Sequence, residues 1–145
     1  TQEMADAQAA SPKGVVRAEL LPQPVVEHDG RFLIGPRPPG VALAGLWEFP
    51  GGKRETGETL EECLHRELWE ELQVRVSAPT PFQIVRHEYP EKIVELHFFC
   101  CRIETGVAIA LDCAELRWVY PHEMAAFEFP SADQPIIAAL QQGKV

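Results

Sequence analysis

Basic residues are scarce in this 145-residue chain: 13 lysines and arginines stand against 22 aspartates and glutamates, a formal charge of -9. Nucleic-acid backbones are held by clustered Lys and Arg, so this balance argues against a duplex DNA or RNA binder. An anionic small molecule can then be held only through a bridging cation or a local basic patch. No apolar run approaches the roughly 18 residues needed to span a membrane. The opening TQEMADAQAASPK lacks a basic stretch followed by an apolar one, so it does not resemble a secretion signal. Residues 1–13 read as a disordered tail and residues 14–145 as one domain, and the chain's 46% hydrophobic content suffices for a sizeable core. The four cysteines, Cys63, Cys100, Cys101 and Cys113, show no C-x-x-C spacing and read as reduced thiols of a cytoplasmic protein. The histidines show no ligand spacing and fit no nucleophilic triad.

Periodicity and turn residues organise the rest. VVEHDGRFLIG contains two extended runs around Asp29-Gly30, a hairpin signal, followed by the GPRPPG loop. FQIVRHEYP and IVELHFFCCRI flank Glu91-Lys92 as a second hairpin, with Val94, Leu96, Phe98 and Cys100 on one face. ELRWVYP reads as a further strand. A closing helix is expected over 132–142, announced by a capping-box spacing of Ser131 and Gln134. The alternation of strands, helix, strands and helix predicts an α/β protein, a mixed sheet between helices.

The segment EFPGGKRETGETLEECLHRELWEELQV carries the chemistry. Winding Thr59 to Leu72 at about 100° per residue puts Leu60, Leu64, Leu68 and Leu72 on one stripe. Glu67 and Glu71 fall within about 20° of that stripe, Glu70 about 80° away, and Glu61, Glu62 and His65 towards water. A Glu-rich helix is ordinarily a solvated face with i, i+4 ion pairs, which accounts for Glu61 and Glu62. Carboxylates directed inward repel one another and lose hydration, so they require protonation or added positive charge. Hard oxygen ligands point to Mg²⁺, with Mn²⁺ as a substitute, and away from Zn²⁺. Pro50-Gly51-Gly52 lets backbone groups approach an ion or phosphate closely, and Gly57 makes a second turn at the helix entrance.

Residues 52–74 resemble the Nudix box, G-x5-E-x7-R-E-U-x-E-E-x-G-U with U aliphatic. Gly52, Glu58, Arg66, Glu67, Leu68, Glu70, Glu71 and Val74 match it. Gln73 stands where the box has Gly, at a left-handed helix end where a side chain costs about 1 kcal/mol. The resemblance implies the Nudix-type α/β/α sandwich and Mg²⁺-dependent hydrolysis of a nucleoside diphosphate linked to a further group. It implies that Glu67, Glu70, Glu71 and the Gly51 carbonyl hold metal and activate water, that Arg66 orients them, and that Glu58 supports them.

From about Val25 to Leu140 the chain looks like the MutT-type nucleoside triphosphate pyrophosphohydrolases, in GLWEFPGGK and in FPSADQPIIAAL. On that likeness Arg37, Phe49, Lys53, Tyr89, Lys92 and Asp133 are expected at the substrate. Asp112, with Glu115 second, is expected as a further catalytic and metal-binding acid. Bland readings stand beside these: a loop arginine, a core phenylalanine, a polar hairpin turn, a surface acid and an aspartate serving the last helix. Asp133 occupies the base-reading position, where 8-oxoguanine-specific members carry Asn. An ionised Asp accepts hydrogen bonds only, so the preferred base stays open. Trp69, opposite the leucines, covers a loop or a partner, while Trp47 and Trp118 are core candidates.

The expected activity is release of nucleoside monophosphate and pyrophosphate, with sanitation of oxidised or non-standard nucleotides such as 8-oxo-dGTP or a CTP-type substrate. The alternatives are an ADP-ribose or other nucleoside-diphosphate-X hydrolase and, in a different class, a non-catalytic nucleotide- or partner-binding module. No membrane partner is expected, and the chain is read as a monomer or homodimer.

Overall fold

The computed structural model describes residues 17–37, 39–40, 43–109 and 115–144. The expected tail over 1–13, Cys113 and Asp112 lie outside these residues. The chain runs β1 (Ala18–His28), β2 (Arg31–Pro36), β3 (Trp47–Glu48), α1 (Leu60–Leu72), β4 (Arg75–Val76), β5 (Thr80–Glu88), β6 (Ile93–Thr105), β7 (Arg117–Val119) and α2 (Gln134–Gln141). 3-10 turns cover Pro121–Ala126 and Ser131–Asp133.

Both hairpins form where the turn residues put them. β1 and β2 pair antiparallel from His28↔Arg31, with Asp29 at φ 52° and Gly30 at φ 79°. Positive φ at both central positions matches the right-handed twist of the flanking strands, which favours this turn. β5 and β6 pair antiparallel from Glu88↔Ile93. β1 runs parallel to β6, with Ala18 opposite Ile93 and Glu27 opposite Arg102, which makes the sheet mixed. The strand order is β3-β2-β1-β6-β4, with β5 also on β6 and β7 also on β2.

β1 begins well before the expected run at Val25, and it passes through Pro22 and Pro24. Prolines ordinarily argue against a paired strand because they donate nothing to the ladder. Spaced by two, they remove donors from the same edge and leave the other edge able to pair.

Alternation along the strands divides the core into two layers. Val25, Phe32, Ile34 and Phe98 pack with Ile136, Ile137 and Leu140 of α2. Val26, Leu33, Phe99 and Cys101 pack with Leu64, Leu68 and Leu72 of α1. Full burial of each such side chain contributes roughly 1.5–3 kcal/mol, so the helices are fixed to opposite faces chiefly by these layers.

The helix ends depart from expectation in one case. α1 is capped by Thr59, whose hydroxyl accepts from the Glu62 amide at 3.0 Å, while Glu62 accepts from the Thr59 amide at 2.9 Å. The capping box expected at Ser131 and Gln134 does not form. Ser131 instead begins a 3-10 turn, and neither Pro130 nor Asp133, the residues at the starts of the turn and of α2, makes a side-chain cap. Proline at the second helical position already removes one donor that a cap would satisfy.

Candidate functional site

The carboxylates of α1 gather on one guanidinium. Arg66 donates from Nη1 to Glu67 at 2.8 Å and to Glu70 at 3.0 Å. It donates from Nη2 to Glu58 at 3.0 Å and to the Lys53 carbonyl at 3.0 Å, and from Nε to Glu58 as well. One cation therefore ties the helix to the turn before it. The guanidinium holds the Glu58 carboxyl down at about 2, helped by the Glu55 amide. The Glu58 hydrogen bond in turn raises Arg66. Cys63, burial of which beside Glu58 pushes the thiol up to about 11, fills the space behind Arg66.

Glu67 is directed onto the glycine turn. A Cβ built at Gly52 would stand 2.1 Å from its Oε1, so the close approach exists only because Gly52 has no side chain. Gly51 packs closely, though less tightly, on β1, where a Cβ would meet the Pro22 carbonyl oxygen at 3.0 Å. Glu67 and Glu71 are partly buried and Glu70 is exposed, in agreement with their angles on the helix. α1 ends at Gln73 in the left-handed conformation, φ 61° and ψ 37°. Its Nε2 donates back to the Trp69 carbonyl at 2.9 Å.

Among the described residues no three His, Cys, Asp or Glu side chains form a ready-made metal cage. The donor chemistry nevertheless fits a hard cation. Glu58, Glu67 and Glu70 share a single guanidinium, which leaves excess negative charge, and all their ligand atoms are oxygens. Mg²⁺ characteristically takes one or two carboxylates and completes its shell with phosphate and water rather than with a full protein cage.

The other expected site residues disperse over the molecule. Arg37, at the end of β2, donates from Nη1 to Glu48 on β3 at 2.7 Å. Lys53 offers its carbonyl to Arg66, and the residue is exposed. Phe49 requires correction: its ring, 1% exposed, stacks on Phe129 at 5.8 Å and meets Phe98 edge-on at 6.2 Å, so the side chain is closed to a base. A phenylalanine just past β3, in the core layer that α2 covers, gains more by filling the core than by remaining open. Tyr89 and Lys92 occupy the β5–β6 turn, where Lys92 reaches Glu19 at 3.5 Å. Glu19 precedes Pro22 by three residues, roughly 10 Å along β1 from the Gly51 turn. Glu115 is exposed and pairs with Arg117 at 2.8 Å.

Asp133 is buried, 5% exposed, beside Glu48 and Arg37. Burial, reinforced by the Glu48 charge and opposed by Arg37, pushes its carboxyl up to about 7. Glu48 is also raised, by burial, against the pull of Arg37. Glu48 escaped the sequence reading, although its place in WEFPGG, one residue before a core phenylalanine, was available as a signal. His97 was likewise set aside. It lies opposite Pro22 on β6 and takes a 3.1 Å contact from Glu95, across β1 from the Gly51 turn.

Trp69 resolves to packing: the Arg75 guanidinium lies 4.0 Å over its ring. Trp47 and Trp118 are half-buried against the two core layers.

Comparison with known proteins gives a consistent picture. Residues 24–139 match the family described as NUDIX domain. The chain is 33% identical over 115 residues to the CTP pyrophosphohydrolase of Escherichia coli, covering 79% of this chain and 85% of that protein. It is 33% identical over 127 residues to the 8-oxo-dGTP diphosphatase of Haemophilus influenzae, covering 88% and 87%. The solution structure of the E. coli ORF135 protein superposes with a TM-score of 0.77 at 30% identity, covering 91% of this chain and 94% of that one. Among the described residues no helix is long and apolar enough to cross a membrane.

Proposed function

Since the chain belongs to the NUDIX family and is a Nudix hydrolase of the MutT type, we propose that it hydrolyses nucleoside triphosphates to nucleoside monophosphate and pyrophosphate, removing oxidised or non-standard nucleotides. The observation that carries this reading is the packing of Glu67 against Gly52 while Arg66 holds Glu58, Glu67 and Glu70 together. The two relatives whose names give CTP and 8-oxo-dGTP as substrates support the same class of reaction.

In this reading Glu67, Glu70, Glu71 and the Gly51 carbonyl hold Mg²⁺, with Mn²⁺ as a substitute, and Asp112 belongs to the same set. When bound, such an ion neutralises phosphate charge and lowers the pKa of water. Arg66 keeps the carboxylates at fixed separations, and its link to the Lys53 carbonyl holds the glycine turn against the helix. A carboxylate of the cluster takes the proton of the attacking water. Arg37, Lys53, Tyr89 and Lys92 supply cationic or aromatic contacts to the nucleotide, and Asp133 meets the base. The domain spans 14–145, and the free thiols Cys63, Cys100 and Cys101 suit a reducing cytoplasm.

The test is a panel of ordinary and oxidised nucleoside triphosphates with ADP-ribose, assayed with Mg²⁺ and ranked by kcat/KM, with products identified. Pyrophosphate release from triphosphates is the expected result. Cleavage of ADP-ribose alone would assign a nucleoside-diphosphate-X hydrolase, and nucleotide binding without turnover would assign a binding module.

A further inference from the structure

Gln23 carries a side-chain amide from β1 onto the glycine turn. A Cβ built at Gly51 would stand 3.1 Å from its Nε2 and 3.5 Å from its Cδ. The side chain is half-buried, and its amide has no hydrogen-bond partner among the described residues. Proline stands on both sides of it, and Pro22 is fully buried. The rings fix φ at both prolines, and a residue before proline is confined to extended backbone, so the amide is presented from a chain with little freedom. Its donors and its acceptor are free for a ligand, and the stiff backbone lowers the cost of ordering them.

Its place in the fold says which part of a ligand it meets. Alternate residues of a strand share a face, and Gln23 falls with Val25 and, in register on β6, with Phe98, in the layer covered by α2. Phe49 belongs to the same layer, whereas Gly52, three residues later, lies against Glu67 of α1. The chain therefore crosses from the α2 side to the α1 side of the sheet at Gly51, and Gln23 stands at the crossing. On one side are the acids and the turn assigned above to metal and phosphate. On the other is Asp133, at the start of α2, assigned to the base. The sugar is the group that joins phosphate to base in a nucleotide. Side-chain chemistry agrees, since a neutral amide brings no charge to a phosphate and no ring to stack on a base, but it donates and accepts as a hydroxyl does.

Resting on the nucleotide-hydrolase reading above, we propose that Gln23 is a specificity-determining residue that hydrogen-bonds a hydroxyl of the substrate's pentose, so that the enzyme selects its nucleotides by the sugar as well as by the base. A site built to bond a hydroxyl is left with an unpaired polar group when that hydroxyl is missing, which is what makes the contact selective.

The experiment measures kcat and KM with Mg²⁺ for CTP and GTP and for the 2′-deoxy and 3′-deoxy analogue of each, in the wild type, in Gln23→Met and in Gln23→Ala. Binding of the corresponding monophosphates is followed in parallel by calorimetry, and thermal melts confirm that the variants fold. In the wild type, removal of the contacted hydroxyl should lower kcat/KM by about 3–10-fold, the worth of one neutral hydrogen bond, with the change in KM. Both variants should lose the same factor on the ribonucleotides and treat parent and analogue alike. Equal wild-type activity on all three sugars overturns the proposal. So does a sugar preference that survives in both variants, or a loss that falls on kcat with KM unchanged, which would place Gln23 in support of the glycine turn. If no triphosphate is hydrolysed but the monophosphates show the expected hydroxyl dependence, the hydrolytic reading fails and the sugar contact stands. Hydrolysis without any hydroxyl dependence leaves the hydrolytic reading in place and removes this one.

Discussion

The guanidinium of Arg66 shows how much one residue can organise. It binds Glu58, Glu67 and Glu70, and it also binds the backbone at Lys53, so the acids and the glycine turn move as one unit. Glu71→Gln keeps the shape of the side chain but removes its charge. Turnover should fall by about 10²–10⁴-fold with an unchanged melting temperature, measured by steady-state kinetics and calorimetry. Gly52→Ala tests the approach of Glu67 directly. The added methyl would lie 2.1 Å from Oε1, the mobile end of the side chain, so the fold should yield cheaply and the carboxylate should move. A displacement near 1 Å at a reacting group is enough for a loss on the order of 100-fold in kcat, with little change in stability. The inward angles of Glu67 and Glu71 were legible from helical spacing alone. That Glu67 lies on Gly52, and that four acids, Glu55, Glu58, Glu67 and Glu70, share Arg66, depends on how the loop over 53–58 folds back, which spacing does not encode.

At the scale of elements, α1 carries a favourable start and an unfavourable end. The Thr59–Glu62 capping box satisfies two amide donors, and Thr59→Ala should cost about 1 kcal/mol in chemical denaturation. Gln73 adopts the left-handed conformation that the family pattern assigns to glycine. Gln73→Gly should stabilise the protein by roughly 0.5–1 kcal/mol, slightly offset by loss of the bond to the Trp69 carbonyl, as read by the denaturation midpoint. Local signals located both hairpins and both helices because turn chemistry and periodicity act over a few residues. They failed at Ser131, where proline-led backbone geometry leaves no role for a cap, and in β1, where two prolines conceal a strand that pairs along β6 on one edge and with β2 near its end on the other.

For the whole molecule, burial of Asp133 makes stability depend on pH. An unfolded aspartate loses its proton near 3.8, while the folded one keeps it up to about 7. Between those values the folded state binds more protons, so stability falls as pH rises through the window and levels off above it. Asp133→Asn removes this titration. It should be more stable than the wild type at pH 8, by on the order of a few kcal/mol, with the difference vanishing near pH 4 in thermal melts. The group titrates in the same corner that holds Glu48 and Arg37, side chains 85 and 96 residues away along the chain, a separation that local sequence rules do not bridge.

What the sequence determined by itself is what short-range rules govern: two hairpins, a helix with an acid-lined apolar face, a mixed sheet between helices, and a family pattern spaced along one helix and its entrance. The tertiary structure decided which of the remaining side chains meet. It enclosed Phe49 in the core, set Lys92 near Glu19, and buried Asp133 beside Glu48. The reason is that desolvation and charge act through space, and strands remote in the chain become neighbours only when both faces of the sheet are packed.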